Sequence, residues 1–489
     1  MHLETVATIQ SDLGATDHPY LTGPFTPNLV EVNATDMESI GKIPADIDGV
    51  YLRNTQNQIH RPLGRFHPFD SDGMLHMMRF ADGRAEYRNR AVRTTGFEAE
   101  RAAGHSLWAG LMEPPAKSRP GWGAHGFIKD SSSTDVVVHA GRALTTYYQC
   151  GEAYRLSPTT LEQFGPETWG GSYPRDGVSA HCKVDEHTGE LLFFNYSKHA
   201  PYMHYGVVSA DNRLTHYVPV PLPGPRLPHD MAYTERYSIL TDFPLFWDPE
   251  MLKRNLHVVR FHPEMKSRFA VIPRYGKTAD VRWFEADPTF VLHFLNAYEE
   301  GDEIVLDGYF EEAPMPTSPP DAPEMYKRMM VYLDTHAMKP HLHRWRFNLK
   351  TGATREEKLD GRVLEFGMIN QQYAGRPYRY AYSTTAKPGW FLFTGLVKHD
   401  LAAATSEAIL FGDELYGSES PFAPRVNARD EDDGYLVSFI TDMKNDRSEC
   451  WLIDAKRFTD GPVCRIILPH RIASGTHSTW APGRLLKTT

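Results

Sequence analysis

The chain has 489 residues and a formal net charge of −10, with 41% hydrophobic and 23% charged residues. This composition is that of a globular protein and excludes a disordered or fibrous chain. The acidic balance argues against nucleic acid as a partner, because binding to phosphates relies on clustered Lys and Arg.

The cysteines and the N-terminus bear on the compartment. The four cysteines lack the CxxC spacing of a metal or redox motif and are too few for a disulfide framework: Cys150, Cys182, Cys450 and Cys464. The chain begins without a basic region followed by an apolar core, and it has no run of 18 apolar residues. We therefore expect a cytoplasmic protein with reduced thiols and no spanning helix.

Short strands separated by turn residues recur along the chain. Asp82-Gly83 between two extended runs predicts a hairpin, and residues 136–138 and 143–148 predict a second one. Further strands are predicted at 191–194, 303–309 and 434–441, which are rich in β-branched and aromatic residues. Helical candidates are few, and one of them is 321–333, where Asp321 can cap the N-terminus.

These strands continue from about residue 50 to about residue 470 without a linker. We expect a single all-β domain over 1–489, with 1–40 as an extended N-terminal segment. A β-propeller is one candidate, because its radial blades bury most sheet edges. No repeat of the WD or kelch kind is present, so a sandwich array or a barrel stays open at this point.

Common catalytic motifs are absent from the sequence, which has no HExxH, GxSxG or P-loop pattern. Residues 121–126 have GxGxxG spacing but join no evident strand to a helix, so we interpret them as a loop. More informative are four histidines separated by 48, 64 and 184 residues: His181, His229, His293 and His477. Taken singly, each is also compatible with a hydrogen-bonded core histidine. If they meet, they must converge from distant strands.

Several ordered segments resemble the carotenoid cleavage oxygenase family, which includes lignostilbene and isoeugenol dioxygenases. Besides the contexts of the four histidines, the resemblance rests on the segments 48–54 (DGVYLRN), 66–76 (FHPFDSDGMLH), 365–370 (EFGMIN) and 419–425 (ESPFAPR). It implies a seven-bladed β-propeller in which helices and loops cap one face over an axial metal site. It also implies that the four histidines bind iron(II), a metal that neutral imidazoles suit.

The resemblance also implies residues that support the metal ligands. Glu365 and Glu419 match the family's glutamates that accept a hydrogen bond from iron-bound histidines. Where the family usually has a third glutamate, this chain has the uncharged Gln149. Either Gln149 or the nearby Glu152 is expected to take its place.

Two segments are similar to the lignostilbene-like bacterial branch: 94–101 (TTGFEAER) and 280–284 (DVRWF). That branch commonly binds a substrate phenol through a Tyr and a Lys, and these positions fall at Leu111 or Met112 and at Tyr148 in this chain. Substrate-binding candidates are Phe69, Tyr148 and Phe294, each with core packing as the alternative. The substrate class therefore stays open between stilbenes, phenylpropenes and apocarotenoids.

The family activity expected from the resemblance is Fe(II)-dependent cleavage of a conjugated C=C bond by O2, giving two carbonyl products. Two alternatives are an isomerase of the same family that incorporates no O2 and a propeller that only binds ligands. The expected partners are O2 and a hydrophobic conjugated small molecule. Residues 245–247 (LFW) offer a peripheral membrane contact, or else form an ordinary core loop.

Overall fold

The first predicted hairpin shows how the sequence sets local structure. In the computed structural model, which describes residues 1–113, 128–254, 258–316 and 333–486, strands Asp72–Ala81 and Arg84–Ala91 pair antiparallel. Asp82 and Gly83 have φ values of 52° and 70°. A two-residue turn with positive φ at both positions matches the twist of the flanking strands. The Asp-Gly prediction is confirmed.

The chain divides into two compact units. The first comprises residues 1–168, 392–398 and 406–489, and the second comprises 169–391 and 399–405. The single domain over 1–489 stays a prediction.

The first unit contains three antiparallel sheets, in each of which neighbouring strands are hydrogen-bonded. One has six strands in the order His2–Thr8, Val30–Thr35, Arg84–Ala91, Asp72–Ala81, Gly49–Asn57 and Ser478–Pro482. A second has four: Gln163–Pro166, Tyr154–Leu156, Arg142–Thr146 and Asp135–His139. The third has Leu415–Tyr416, Gly434–Asp442, Arg447–Asp454, Pro462–Ile467 and Ser39–Ile40, with Phe422–Pro424 also on Gly434–Asp442.

The second unit contains three four-stranded sheets and a two-stranded one. The first is Lys183–Asp185, Glu190–Tyr196, Met203–Val208 and Leu214–Pro219. The next is Ala232–Tyr233, Tyr237–Asp242, Ser267–Pro273 and Arg282–Ala286. The last is Phe294–Glu300, Glu303–Glu311, Pro340–Asn348 and Thr354–Lys358. The two-stranded sheet is Leu245–Trp247 and Val259–Phe261.

A further four-stranded sheet has the order Leu364–Met368, Tyr380–Ala386, Phe393–Asp400 and Thr405–Leu410. Seven sheets of four or more strands are thus formed by the described residues, each built largely from strands that follow one another in sequence. This is the arrangement of blades in a propeller. The prediction of an all-β seven-bladed β-propeller is confirmed.

Helices are short in the part of the chain that the structure describes. The α-helices are Thr95–Ala103, Pro249–Lys253 and Thr335–Met338. Short 3-10 helices occur at Gly23–Phe25, Pro68–Asp70, Trp169–Gly171, Thr278–Asp280, Gln371–Tyr373, Ala455–Asp460 and Gly483–Leu485. The predicted loop at 121–126 lies outside the described residues, as does nearly all of the predicted helix at 321–333.

Each unit has its own apolar core. Tyr51, Phe439 and Ile466 belong to the large cluster in the first unit, and Phe269 and Trp345 belong to the large cluster in the second. None of the helices in the described ranges is long and apolar enough to cross a membrane.

The segment 245–247 is not an exposed loop. It forms the strand Leu245–Trp247, and its three residues are 6–7% exposed. Core packing is therefore the correct interpretation of this segment, and the lipid contact considered for it is not available to these buried side chains.

Candidate metal centre

Two of the candidate histidines meet in the second unit. His181 is buried just before strand Lys183–Asp185, and His229 lies just before strand Ala232–Tyr233. Their Nε2 atoms are 3.2 Å apart. His181 has a φ of 59°, a left-handed conformation that a non-glycine residue keeps only when its surroundings hold it there. Such backbone strain is common at functional sites.

The third histidine completes the cluster. His293 precedes strand Phe294–Glu300, and its ring centroid is 4.9 Å from that of His181 and 5.3 Å from that of His229. One ring nitrogen from each of the three histidines lies within 4.8 Å of the others. Segments separated by 48 and 64 residues thus converge on one point.

The donor set of this cluster fits a divalent transition metal. Two ligands at right angles on an ion, with bonds of about 2.1 Å, lie about 3.0 Å apart, close to the 3.2 Å between His181 and His229. Neutral imidazoles suit iron, zinc, copper and nickel, whereas magnesium and calcium prefer oxygen. The cluster is therefore a candidate site for a transition metal.

A glutamate orients His293. Glu365 accepts a hydrogen bond at 2.6 Å between its Oε2 and His293 Nδ1, and the same oxygen accepts the Phe366 amide at 2.6 Å. A carboxylate on Nδ1 leaves the Nε2 lone pair for a metal. Phe366 packs its ring 4.6 Å from the imidazole, and its φ is 51°. Next to it, a Cβ at Gly367 would overlap the Tyr309 hydroxyl, so this close approach requires glycine.

Asp230 is a buried residue of this site that sequence reasoning missed. Its Oδ1 forms a 2.7 Å ion pair with Lys183, and its Oδ2 accepts the backbone amide of Phe294 at 2.8 Å. It therefore ties together the segments that carry all three histidines. Burial raises the pKa of this carboxyl, and Lys183 opposes that shift. The position directly after His229 was the only signal for it in the sequence.

The fourth candidate histidine lies in the first unit. His477 is buried, and its Nδ1 is 3.5 Å from Oε2 of Glu419. The same carboxylate oxygen accepts the Ser478 amide at 2.6 Å. Burial raises the pKa of Glu419, His477 lowers it and the negative charge of Asp135 raises it further. A carboxylate oxygen of Asp135 lies within 4.8 Å of a ring nitrogen of His477. No pattern in the sequence singles out Asp135.

Comparison with known proteins places the chain in a family. The family model described as retinal pigment epithelial membrane protein matches residues 25–482. The carotenoid 9,10(9',10')-cleavage dioxygenase 1 of Pisum sativum is 33% identical over 94% of this chain and 89% of its own length. The chain belongs to the carotenoid cleavage oxygenase family.

Other members span several substrate classes. The isoeugenol monooxygenase of Pseudomonas putida is 30% identical over 94% of this chain and 98% of its own length. The crystal structure of the Pseudomonas brassicacearum lignostilbene dioxygenase matches with a TM-score of 0.84 and 28% identity, over 96% of this chain and 99% of that one. The family expected from the sequence is therefore confirmed, and these relatives carry names from both the carotenoid and the phenylpropenoid classes.

Gln149 stands where the sequence resemblance leads us to expect a glutamate. It is half-buried and hydrogen-bonds to the hydroxyl of its neighbour Tyr148. Glu152, considered as its substitute, accepts a hydrogen bond from the Tyr154 hydroxyl at 2.8 Å and donates its own amide to Asp130. Support of a metal-bound histidine by either residue stays a prediction.

The three substrate-binding candidates lie in different surroundings. In the first unit, the rings of Phe69 and Tyr148 are both half-buried, with centroids 5.7 Å apart. Burial raises the pKa of the Tyr148 hydroxyl, so it stays neutral and acts as a hydrogen-bonding group. In the second unit, Phe294 packs in the apolar core beside Phe269 and Trp345. A substrate contact at each of the three stays a prediction.

Proposed function

We propose that this protein is a non-haem iron(II) dioxygenase that cleaves a conjugated C=C bond with O2. Each alkene carbon receives one oxygen atom, so one alkene and one O2 give two carbonyl products. The observation that carries the proposal is the cluster of His181, His229 and His293, with Glu365 on His293, in a chain of this family.

In this proposal, three of the iron ligands are the clustered histidines of the second unit. The fourth is His477, which enters through the sequence resemblance. When bound, iron(II) would supply an open position at which O2 is activated. With four neutral ligands, the site would keep the full charge of the metal.

The chain's own residues have separate tasks in the proposed reaction. Glu365 holds the proton on Nδ1 of His293 and so presents the Nε2 lone pair. Asp230 keeps the segments of the three histidines in register through Lys183 and the Phe294 amide. Burial of His181 and His293 limits the access of water, which would compete for an open metal position. No side chain is assigned as a general acid or base.

The proposed substrate is a stilbene-like aryl alkene, a phenylpropene or an apocarotenoid. This range follows the names of the relatives, which refer to carotenoids, isoeugenol and lignostilbene. Tyr148 stands where a phenol-binding lysine is expected, and a neutral hydroxyl can hydrogen-bond a phenol but cannot neutralise a phenolate. We further propose a cytoplasmic location, in keeping with four buried cysteines that form no disulfide bond.

The test is product analysis by mass spectrometry. Anaerobically purified protein is loaded with Fe(II), and hydroxystilbenes, phenylpropenes and apocarotenoids are supplied with isotopically labelled O2. We expect carbonyl products that carry the label from at least one of the three classes. Products without label would favour the isomerase alternative, and iron binding with no turnover of any class would favour a binding scaffold.

A matched pair of variants ties the activity to the site. His229→Ala is expected to abolish turnover and iron binding. His216→Ala is the control, because His216 is in the same unit but is bonded through Nε2 to the carbonyl of Gly276. Equal activity in the two variants would contradict the proposed metal centre.

A further inference from the structure

The carboxylate of Asp135 has no role in the proposed reaction, although it lies beside a proposed metal ligand. One of its oxygens is within 4.8 Å of a ring nitrogen of His477, and both residues belong to the first unit. Two ligand atoms on one ion, each bonded at about 2.1 Å, are separated by up to about 4.2 Å. A separation within 4.8 Å brings the Asp135 carboxylate and the His477 ring close to this range.

The two residues are held in place by one buried asparagine. The backbone amide of Asn54 donates to the carbonyl of His477 at 3.0 Å. The side-chain amide of Asn54 donates to the carbonyl of Asp135 at 3.2 Å and to that of Ser132 at 2.9 Å. Asn54 is 0% exposed. A buried side chain therefore holds the backbone of Asp135 and the backbone of His477 next to each other.

The orientation of the carboxylate is also constrained. Asp135 begins the strand Asp135–His139, and its Oδ1 accepts the amide of Val136 at 2.7 Å. A carboxylate has two oxygens with several lone pairs, so it can accept this bond and still bind a metal ion. Asp135 is thus presented as an oriented anion at the start of a strand.

The charge of Asp135 can be compared with the missing charge at Gln149, because both residues belong to one hairpin region. Gln149 brings no charge at the position where the family usually has a glutamate. Asp135 lies on the hairpin that leads to Gln149, since Asp135 pairs with Thr146, three residues before Gln149. The expected negative charge of a glutamate is therefore missing after this hairpin, at Gln149. The negative charge of Asp135 is present at the start of the hairpin, beside His477.

We propose that Asp135 is a carboxylate ligand of the metal that His477 binds, and that it supplies the negative charge that Gln149 lacks. This inference rests on the proposed function, because it requires a metal at His477. Carboxylate oxygen is a hard ligand that iron(II) accepts together with imidazole. The metal centre would then have a net charge of +1 in place of +2.

The experiment measures metal binding in Asp135→Asn, Gln149→Glu and the double variant. Anaerobic titration calorimetry gives the dissociation constant for Fe(II), and electron paramagnetic resonance of the Fe(II) complex with nitric oxide reports the ligand field. We expect Asp135→Asn to weaken Fe(II) binding by at least about 10-fold, the smaller cost of losing even an outer partner of a metal ligand, and to change the resonance spectrum. In the double variant, Gln149→Glu should recover part of the lost affinity.

Three controls separate the outcomes. Asp211→Asn removes an exposed carboxylate and should leave both readouts unchanged. Asp135→Glu keeps the charge and should bind Fe(II) within a few-fold of wild type with an altered spectrum, which keeps the test valid even if Asp135→Asn fails to fold. Thermal unfolding of the metal-free variants identifies such a failure.

Unchanged Fe(II) affinity and an unchanged spectrum in folded Asp135→Asn would overturn the inference and would leave Asp135 as a cap for the Val136 amide. Unchanged Fe(II) affinity together with an unchanged spectrum in Asp135→Glu would also overturn the inference. A wild-type protein that binds no Fe(II) would instead overturn the proposed function itself.

Discussion

The two histidine–glutamate pairs differ in how the carboxylate is shared. In the second unit, Glu365 lies 2.6 Å from Nδ1 of His293. In the first unit, Glu419 lies 3.5 Å from Nδ1 of His477, and its nearer partner is the Ser478 amide at 2.6 Å. The same pair of residue types therefore gives one short charge-assisted hydrogen bond and one weaker contact. We infer that Glu365 controls its histidine more strongly than Glu419 does.

Of the changes that bear on this comparison, neutralising the two glutamates in turn should have the largest effect on metal binding. Glu365→Gln should weaken Fe(II) or Co(II) binding by about 10–100-fold, the usual cost of losing an outer hydrogen-bond partner of a metal ligand. Glu419→Gln should cost about 10-fold or less, because its bond to His477 is longer. Anaerobic titration of both variants measures the difference.

The exposed pair His262–Glu264, at 3.3 Å, supplies the control. Glu264→Gln changes the same chemical groups away from the clustered histidines and should leave metal affinity unchanged. A larger loss of metal affinity in Glu419→Gln than in Glu365→Gln would show that the shorter hydrogen bond is not the more important one.

A second prediction concerns Asp230, which is 2% exposed. Asp230→Asn keeps an acceptor for the Phe294 amide but leaves Lys183 without its carboxylate. We expect the free energy of unfolding to fall by about 1–3 kcal/mol, less than for a fully buried pair because Lys183 is 25% exposed. Urea unfolding of the metal-free protein checks this value, and titration should show weaker metal binding as well.

The exposed ion pair between Lys266 and Asp287 is the control for the ion pair between Asp230 and Lys183. Asp287→Asn should leave the unfolding free energy nearly unchanged, because an ion pair in water contributes little to stability. Equal effects of the two substitutions would show that Asp230 is not a structural tie between the histidine segments.

How well a feature can be predicted from the sequence depends on the sequence distance that its contacts span. The Asp-Gly hairpin and the strands at 303–309 and 434–441 depend on local turn chemistry and side-chain type, so the sequence predicts them and the structure contains them. The resemblance at 365–370 predicted that Glu365 accepts a hydrogen bond from one of the four histidines, and the structure shows that this histidine is His293. Asp230 and Asp135 were missed, because their contacts join segments that approach one another only in the folded chain. The exposed interpretation of Leu245–Trp247 failed for the same reason, since its burial depends on tertiary packing.

A further effect should appear in the electrostatics of the buried carboxyl groups around Glu365. Glu311 is 1% exposed, and both burial and the charge of Glu365 raise its pKa well above 4.5. The folded state therefore holds this proton at pH values where the unfolded state has released it, so the stability of wild type falls as the pH rises above about 4.5. Glu311→Gln removes this dependence, and its stability relative to wild type should rise with pH.

Urea unfolding at about pH 4.5 and pH 8 measures how the free energy of unfolding of Glu311→Gln changes relative to wild type. We expect a gain of about 1.4 kcal/mol for each unit by which the pKa of Glu311 is raised. The adjacent Glu312 is the control, because it is exposed and Lys358 lowers its pKa. Glu312→Gln should show no gain at the higher pH. A Glu311→Gln variant whose advantage shrinks with rising pH would refute this assignment.

X-ray absorption at the iron edge of the Fe(II)-loaded wild-type protein decides whether the four histidines share one metal. We expect one bound iron with four imidazole nitrogen ligands, from His181, His229, His293 and His477. Fewer than four imidazoles, or a protein that binds no iron under anaerobic loading, would contradict the proposed metal centre.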